Sequence, residues 1–385
     1  MCRNESPKYR TICRVGSLVA SGQKRLRDFI VQTRRAAADP GALTRATEEV
    51  DATMSYLTGK SLLVTGATGS FGKRFVRTVL EQHAPERLVV FSRDELKQFE
   101  MQQQIQHPAL RYFLGDVRDK ERLYRAFDGV EVVVHAAAMK QVPASEYNPM
   151  EAIKTNIMGS ENVINVCIDQ GIKRVVALST DKAANPVNLY GATKLCADKL
   201  FVAANALSGF HRTRFSVVRY GNVVGSRGSV IPFFMDKRES GVLPITDPRM
   251  TRFWITLTQG VQLVLDTIEN MCGGEIIIPK IPSMSIMDLA EAVAPECKTE
   301  IVGIRPGEKL HEVMITAADA ANTVELDDRY VVQPDAPWWR GEEFFADTEA
   351  RPVDKDFEYS SDTNSDWMTV EGLRELLRTE RIEGT

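Results

Sequence analysis

A chain of 385 residues has room for two domains and a sizeable core. Its 43% apolar and 26% charged residues are those of an ordinary globular protein, and a net charge of −4 argues against nucleic acid as a partner. No uncharged apolar run is long enough for a membrane span, and six scattered cysteines without a C-x-x-C pair read as reduced thiols in a cytoplasmic protein with no metal site.

Residues 1–57 differ from the rest of the chain. Up to Ala38 they carry many Arg and Lys against only Glu5 and Asp28, with a helix-like stretch around Gly22–Ala38 and no strand. A mis-assigned start (Met54 lies just ahead of the first strand) or a poorly ordered extension is expected, ahead of a targeting peptide or an appended assembly helix.

From Ser61 the pattern alternates strand and helix, which predicts an α/β fold: a doubly wound parallel sheet with a smaller, partly interleaved C-terminal substrate domain. The expected division is a cofactor domain over 58–225 with about 252–280, a substrate domain over 226–251 and 281–345, and a tail over 346–385. Strand Ser61–Thr65 runs into Gly66-Ala67-Thr68-Gly69-Ser70-Phe71-Gly72 and a helix over Lys73–Gln82. A G-x-x-G-x-x-G turn at that junction permits a tight bend and close approach of a pyrophosphate to free helix-start amides. An ordinary βα turn is the bland alternative.

The second strand, Arg87–Phe91, ends in Ser92-Arg93-Asp94-Glu95-Leu96-Lys97. A hydroxyl and cations at this point favour NADP over NAD, since they suit a 2′-phosphate. The alternative is that Arg93 and Lys97 are solvated charges at a helix start. Strand Leu110–Leu114 leads to Asp116 and Val117, placed to meet the adenine edge. Strand Val130–Val134 leads to His135, three alanines beginning with Ala136, and Lys140, a contact for an anionic ligand; His135 reads as a packed, hydrogen-bonded residue rather than a catalyst. Asn156 is expected to start a helix that faces the same cleft.

Strand Val175–Leu178 delivers Ser179-Thr180-Asp181-Lys182, and then Tyr190 and Lys194, four apart on one helix face. Ligands in open α/β sheets bind at the carboxyl ends of strands, so this is the candidate catalytic stretch. A sixth strand, Phe215–Tyr220, precedes a polar, glycine-rich segment with Asn222, Val223 and Arg227. Arg227, Arg252 and Arg305 offer bidentate phosphate contacts, with a surface-arginine reading open for each. Ile301–Glu312 reads as a strand running into a helix. From about Pro334 the tail looks loop-like, anchored by Trp338, Trp339 and Trp367.

With its glycine turn and Tyr-x-x-x-Lys pair, 60–312 resembles the extended short-chain dehydrogenase/reductases. Ser92-Arg-Asp-Glu-Leu-Lys-Gln98, His135-Ala-Ala-Ala-Met-Lys140, Ser179-Thr-Asp-Lys182, Arg219–Gly228, Met250–Trp254 and Gly303–Glu312 are similar to the inverting UDP-N-acetylglucosamine 4,6-dehydratases, which open pseudaminic acid biosynthesis for flagellin or surface glycosylation. The similarity covers Met54 to the end and not 1–53. It implies a lyase that uses NADP, acts on UDP-N-acetylglucosamine and forms a homo-oligomer, with a hexamer among the forms.

The resemblance also implies roles. Tyr190, its phenol lowered by Lys194 and the nicotinamide charge, takes the C4 hydroxyl proton, and Thr180 bonds that oxygen. Lys182 removes the C5 proton, which requires it to be neutral at that moment, as burial and nearby cations make possible. Asp181 protonates the departing C6 hydroxyl. Lys140, Asn222, Arg227, Thr246, Arg252, Arg305 and Glu308 are expected on the UDP-sugar, and Gly66 to Gly72, Ser92 to Lys97, Asp116, Val117, Ala136, Lys140, Tyr190, Lys194 and Val223 on the cofactor. A nucleotide-sugar 4-epimerase and a non-catalytic NADP-binding regulator are the alternatives.

Overall fold

Short Val-, Leu- and Phe-rich runs form β1 (Ser61–Thr65), β2 (Arg87–Ser92), β3 (Leu110–Leu114), β4 (Val132–His135), β5 (Arg174–Leu178) and β6 (Arg214–Val218) in a computed structural model. It describes residues 55–226, 228–339, 345 and 349–379. Expectations for 1–54 therefore lie outside the described residues. The inner strands β1, β2 and β4 are buried along nearly their whole length, as strands covered on both faces must be.

The helices that cross between them are α1 (Ser70–Gln82), α2 (Glu95–Gln104), α3 (Lys120–Phe127), α4 (Gly159–Asp169) and α5 (Leu189–Leu207). After β6 the chain adds β7 (Asn222–Val223), α6 (Val230–Lys237), β8 (Val242–Ile245), β9 (Thr251–Ile255) and α7 (Leu257–Asn270) before re-entering the sheet as β10 (Ile276–Pro279). Beyond it lie β11 (Ser283–Ser285), α8 (Ile286–Val293), β12 (Lys298–Ile301), β13 (Val313–Ile315), β14 (Thr323–Glu325), β15 (Arg329–Val332), β16 (Arg351–Pro352), β17 (Tyr359–Ser360) and α9 (Val370–Thr379).

The main sheet has ten strands in the order β16-β14-β15-β10-β6-β5-β4-β1-β2-β3. Pairing from β3 to β10 is parallel, and β15, β14 and β16 extend the β10 edge antiparallel. Helix α1 packs against α7, and α4 packs against α3 and α5. This is the doubly wound parallel sheet that the strand–helix alternation predicts. The order reverses between β1 and β4, which puts the cleft at the carboxyl ends of those strands. A second apolar core, with Phe234, Leu243, Trp254, Leu289 and Leu373, holds α6, β8, β9, α8 and α9 together.

Three local expectations are corrected. No helix follows β12: Gly303 and Gly307 take φ of 89° and 80°, and the carbonyls of Lys309 and Leu310 are spent on Arg252 instead of a helical ladder. Asn156 does not start a helix. It lies inside a π turn, Lys154–Met158, between helical segments Pro149–Ile153 and α4, where its amide exchanges hydrogen bonds with the backbone of Met139 (2.8 and 2.9 Å) and donates to Thr193. The tail is not all loop: β17 pairs with β13, and α9 lays Val370, Leu373 and Leu377 on the second core at helical spacing. Trp367 is 43% exposed, a weak anchor, whereas Trp339 Nε1 donates to Gln333.

Candidate active site

A cleft of about 1290 Å³ runs over the carboxyl ends of the parallel strands. That exceeds the ~300–1,000 Å³ of a pocket for one small ligand, so it has room for two. Its floor is the turn after β1. Gly66 takes φ +66°, and a Cβ there would sit 2.8 Å from the backbone of Ala136, so the β1 and β4 loops meet at a distance only glycine allows. Gly69 caps α1 without any side-chain hydrogen bond, and a helix start is where the backbone dipole favours an anion. Thr68, Ser70, Phe71, Gly72 and Ala136 line the same wall.

Beneath them Thr65 Oγ1 accepts from the amides of Ala136 and Ala137, so its own proton goes to His135 Nδ1 at 2.9 Å. The imidazole then carries its proton on Nε2, which faces Ser160 Oγ at 3.3 Å. Burial lowers His135 to about 3. It is a neutral strut between β1, β4 and α4, as the sequence suggests.

At the far end of β2, Ser92, Arg93, Asp94 and Lys97 line the cleft, as do Asp116 and Val117; Glu95 and Leu96 do not. Gln98 Nε2 donates to Ser92 Oγ at 3.0 Å, leaving the hydroxyl proton for a ligand. Asp94 caps α2 and is held below the usual carboxylate range by the Lys97 hydrogen bond. Arg93 lies 3.7 Å from Asp116. Both cations thus already face a carboxylate.

The candidate catalytic stretch is built by β5 and α5. Beyond Leu178, Thr180 caps a single turn, Asp181–Ala183, accepting from the Lys182 amide at 3.4 Å. Asn188 caps α5 and points Tyr190 and Lys194 into the cleft, which Thr180 and Lys182 also line. Gly191 makes this junction: a Cβ would fall 2.1 Å from the Lys182 carbonyl oxygen, so the α5 start can pack onto the turn only without a side chain.

Asp181 is 1% exposed and is not part of the cleft wall. Its Oδ1 accepts from Thr180 Oγ1 at 2.8 Å and from Lys182 Nζ at 3.1 Å, while Oδ2 has no partner. Glu312 Oε1 lies 3.2 Å from the same Nζ.

The electrostatics differ from expectation twice. Burial alone would lower the Lys182 ammonium, but the Asp181 and Glu312 carboxylates outweigh it and hold it well above its ordinary value. Lys182 is therefore charged in the ligand-free site, not neutral. Burial pushes the Tyr190 phenol up to about 12, opposed first by the Lys182 ammonium. Lys194, expected to lower it, instead donates to the Leu178 carbonyl at 2.7 Å, and its own ammonium is lowered by burial.

The opposite wall carries Lys140, Asn222, Val223, Thr246, Arg252, Arg305 and Glu308; Arg227 lies outside the described residues. Arg252 donates to the carbonyls of Thr251, Leu310 and Lys309 at 2.7–2.9 Å, so it braces the segment before β13. Arg305 is open to solvent, 3.8 Å from Glu308.

Three residues escaped the sequence reading. Glu312 closes the Arg305–Glu312 motif, which was the available signal, and is ringed by Lys182, Arg252 and Lys309 at 3.2–3.8 Å. Asp198, one turn beyond Lys194, accepts from Ser179 and from the buried Arg219. Gly191 was read only as part of the Tyr-x-x-x-Lys spacing.

Residues 62–334 match the family model described as polysaccharide biosynthesis protein. The chain is 55% identical over 324 residues to the UDP-N-acetylglucosamine 4,6-dehydratase (inverting) of Campylobacter jejuni, covering 83% of this chain and 97% of that one. It is 39% identical over 329 residues to the UDP-glucose 4-epimerase of Rickettsia canadensis, covering 83% and 96%. The X-ray structure of Pen from Bacillus thuringiensis matches with a TM-score of 0.77 at 37% identity over 84% of this chain and 98% of that chain. DesIV, the dTDP-glucose 4,6-dehydratase of Streptomyces venezuelae, shares the fold at a TM-score of 0.59 and 24% identity, over 65% and 86%. The turn after β1, the Tyr190–Lys194 helix and these matches together mean that the chain belongs to the polysaccharide biosynthesis protein family, within the extended short-chain dehydrogenase/reductases.

Proposed function

We propose that this protein is a lyase that removes water from UDP-N-acetylglucosamine and inverts C5, giving UDP-2-acetamido-2,6-dideoxy-β-L-arabino-hex-4-ulose. The observation that carries the reading is the Asp181–Lys182 pair, 3.1 Å apart, set beside Tyr190 at the end of β5. The identity to the Campylobacter enzyme supports it. On the same likeness we extend the proposal to NADP as cofactor, to the opening step of pseudaminic acid biosynthesis, and to a homo-oligomer in the cytoplasm.

The residues fit a dinucleotide. The Gly66 approach and the start of α1 suit a pyrophosphate, and Ser92, Arg93 and Lys97 offer a hydroxyl proton and two cations suited to a 2′-phosphate. A nicotinamide held there would supply reversible hydride exchange between C4 and C6 of the sugar.

This chain's residues handle the protons. Tyr190 receives the C4 hydroxyl proton, which leaves a ketone that makes the C5 proton acidic. Lys182, as an amine, takes that proton. Asp181, as a carboxylic acid, protonates the C6 hydroxyl so that it leaves as water. Water protonates C5 from the opposite face, and the C5 configuration inverts.

The test is to incubate the protein with UDP-N-acetylglucosamine and NADP⁺ in D₂O, without added reductant. NMR should show deuterium at C5 and the L-arabino configuration, and mass spectrometry the loss of one water. Retention of the C6 oxygen with a changed C4 would make it a 4-epimerase instead, and retention at C5 would remove the inverting assignment.

A further inference from the structure

Asn188 opens helix α5 two residues ahead of Tyr190, and its side-chain amide faces two ways. Oδ1 accepts from the Gly191 amide at 2.8 Å, the bond expected of a helix cap. Nδ2 donates to the carbonyl of Gly307, 119 residues further along the chain, at 2.7 Å. A cap needs only an acceptor, and Ser or Asp would serve as well. The second bond is what asparagine adds.

Gly307 belongs to the stretch between β12 and β13 that brings Arg305 and Glu308 into the cleft wall. A Cβ on Gly307 would lie 3.0 Å from the Asn188 Cβ, so the two segments touch with no room between them. The same stretch meets the turn before α5 twice more. Lys309 Nζ donates to the Ala184 carbonyl at 2.7 Å, and Glu312 Oε1 lies 3.2 Å from Lys182 Nζ. Those two contacts end on the turn, whereas the Asn188 bond ends on the helix that carries Tyr190. Asn188 itself does not line the cleft, so it acts through what it holds.

Arg305 offers the cleft a guanidinium open to solvent, 3.8 Å from Glu308, and such a group suits the diphosphate of a nucleotide sugar. The sugar itself must meet Tyr190. Binding energy collected at the diphosphate speeds a reaction at the sugar only when the two ends are held at a fixed separation. A displacement of ~1 Å is enough for about a 100-fold loss.

We propose that Asn188 is a positioning residue: its bond to Gly307 holds the segment that grips the nucleotide in register with the Tyr190 hydroxyl. This rests on the proposed function only so far as a nucleotide sugar reacts at Tyr190.

The test uses the full-length protein with NADP⁺ and UDP-N-acetylglucosamine. Asn188→Asp keeps the cap acceptor at the same length and removes the donor, and Asn188→Ala removes both. Consumption of the sugar at saturation should fall at least ~10-fold in either variant, toward the loss that a displacement of ~1 Å brings. Calorimetric titration should give Asn188→Asp the wild-type affinity for UDP and for NADP⁺. Its thermal midpoint should match wild type, and Asn188→Ala should melt lower for want of a cap.

Asn188→Asp consuming the sugar at the wild-type rate overturns the register, because the cap alone then accounts for Asn188→Ala. A fall in rate matched by an equal fall in UDP or NADP⁺ affinity overturns it too, since Asn188 would then only support a binding loop. A new carboxylate beside Tyr190 can also slow the reaction by raising the phenol, but that effect disappears in alkali. The ratio of the Asn188→Asp rate to wild type should instead stay constant from neutral pH into alkali, and recovery there overturns the register. Mass spectrometry of the product keeps the two claims apart. Wild type that consumes the sugar without losing water overturns the dehydratase reading and leaves the comparison of variants intact, whereas wild type that does not consume it overturns both.

Discussion

Glu312 Oε1 sits 3.2 Å from Lys182 Nζ, on a segment 130 residues further along the chain, and makes the second half of a carboxylate bracket begun by Asp181. The bracket decides the charge of Lys182: burial pulls the ammonium down, and two anions at hydrogen-bond range push it up further. Glu312→Gln removes one of them, so the Lys182 ammonium should titrate at lower pH than in wild type. Competitive labelling of lysines across pH, read by mass spectrometry of the Lys182 peptide, measures this. An unmoved titration would mean that Asp181 alone holds the charge.

Lys182→Ala should bind cofactor and UDP-N-acetylglucosamine as wild type does but dehydrate at least ~100-fold more slowly, the low end for loss of a general base. Stopped-flow and quench kinetics, beside binding titrations, separate the two. Unchanged turnover would remove Lys182 as the C5 base.

Gly191→Ala tests the junction between Lys182 and Tyr190. Its Cβ would be 2.1 Å from a backbone oxygen, so the turn or the helix start must move. Overpacking of this kind costs about 1–3 kcal/mol. A shift of even ~1 Å at Lys182 is enough for about a 100-fold loss of turnover. Thermal unfolding and steady-state rates should fall together.

Asp198 and Arg219 form a buried pair at 3.2 Å, each 3% exposed or less. Asp198→Asn leaves the buried guanidinium only Asp319, 3.9 Å away, as a counter-charge, and breaking a buried pair costs about 3–5 kcal/mol. The double variant Asp198→Leu/Arg219→Met should lose less than the sum of the single changes, because no lone charge is left behind. Urea unfolding midpoints check both.

His135 sets a pH dependence of stability. Its folded value is lowered from 6.5 to about 3, so between these limits the unfolded chain binds a proton that the folded one does not. Stability should therefore be full above 6.5 and fall as pH drops toward 3, by about 1.4 kcal/mol per pH unit from this group. His135→Asn should flatten that slope in urea titrations run between pH 7 and about pH 4.

The sheet was legible because its strands are short apolar runs ending in glycine or polar turns; β1 and β3 start and end where the pattern says. The Tyr190–Lys194 helix was legible from spacing alone. What the sequence hides is non-local. Composition says nothing of Glu312 reaching Lys182, so the lysine reads as neutral until the second carboxylate is seen. The helix expected after β12 fails for a similar reason: Arg252, on β9, claims its carbonyls. Trp367 reads as an anchor by its size, but the apolar stripe of α9 holds the tail.

Glu312 is itself held by the end of the chain. Its amide donates to Ser361 Oγ at 2.9 Å, the Ser361 amide donates back to its carbonyl at 2.9 Å, and Ser361 also bonds Thr251. The core that holds the parallel strands also contains Met314, Ile315, Tyr330 and Tyr359, and Arg305 and Glu308 wall the cleft, so residues beyond β10 complete both. The environment of the central lysine is finished last: a chain cut short before residue 361 would lose the hydrogen bonds that seat Glu312 beside Lys182.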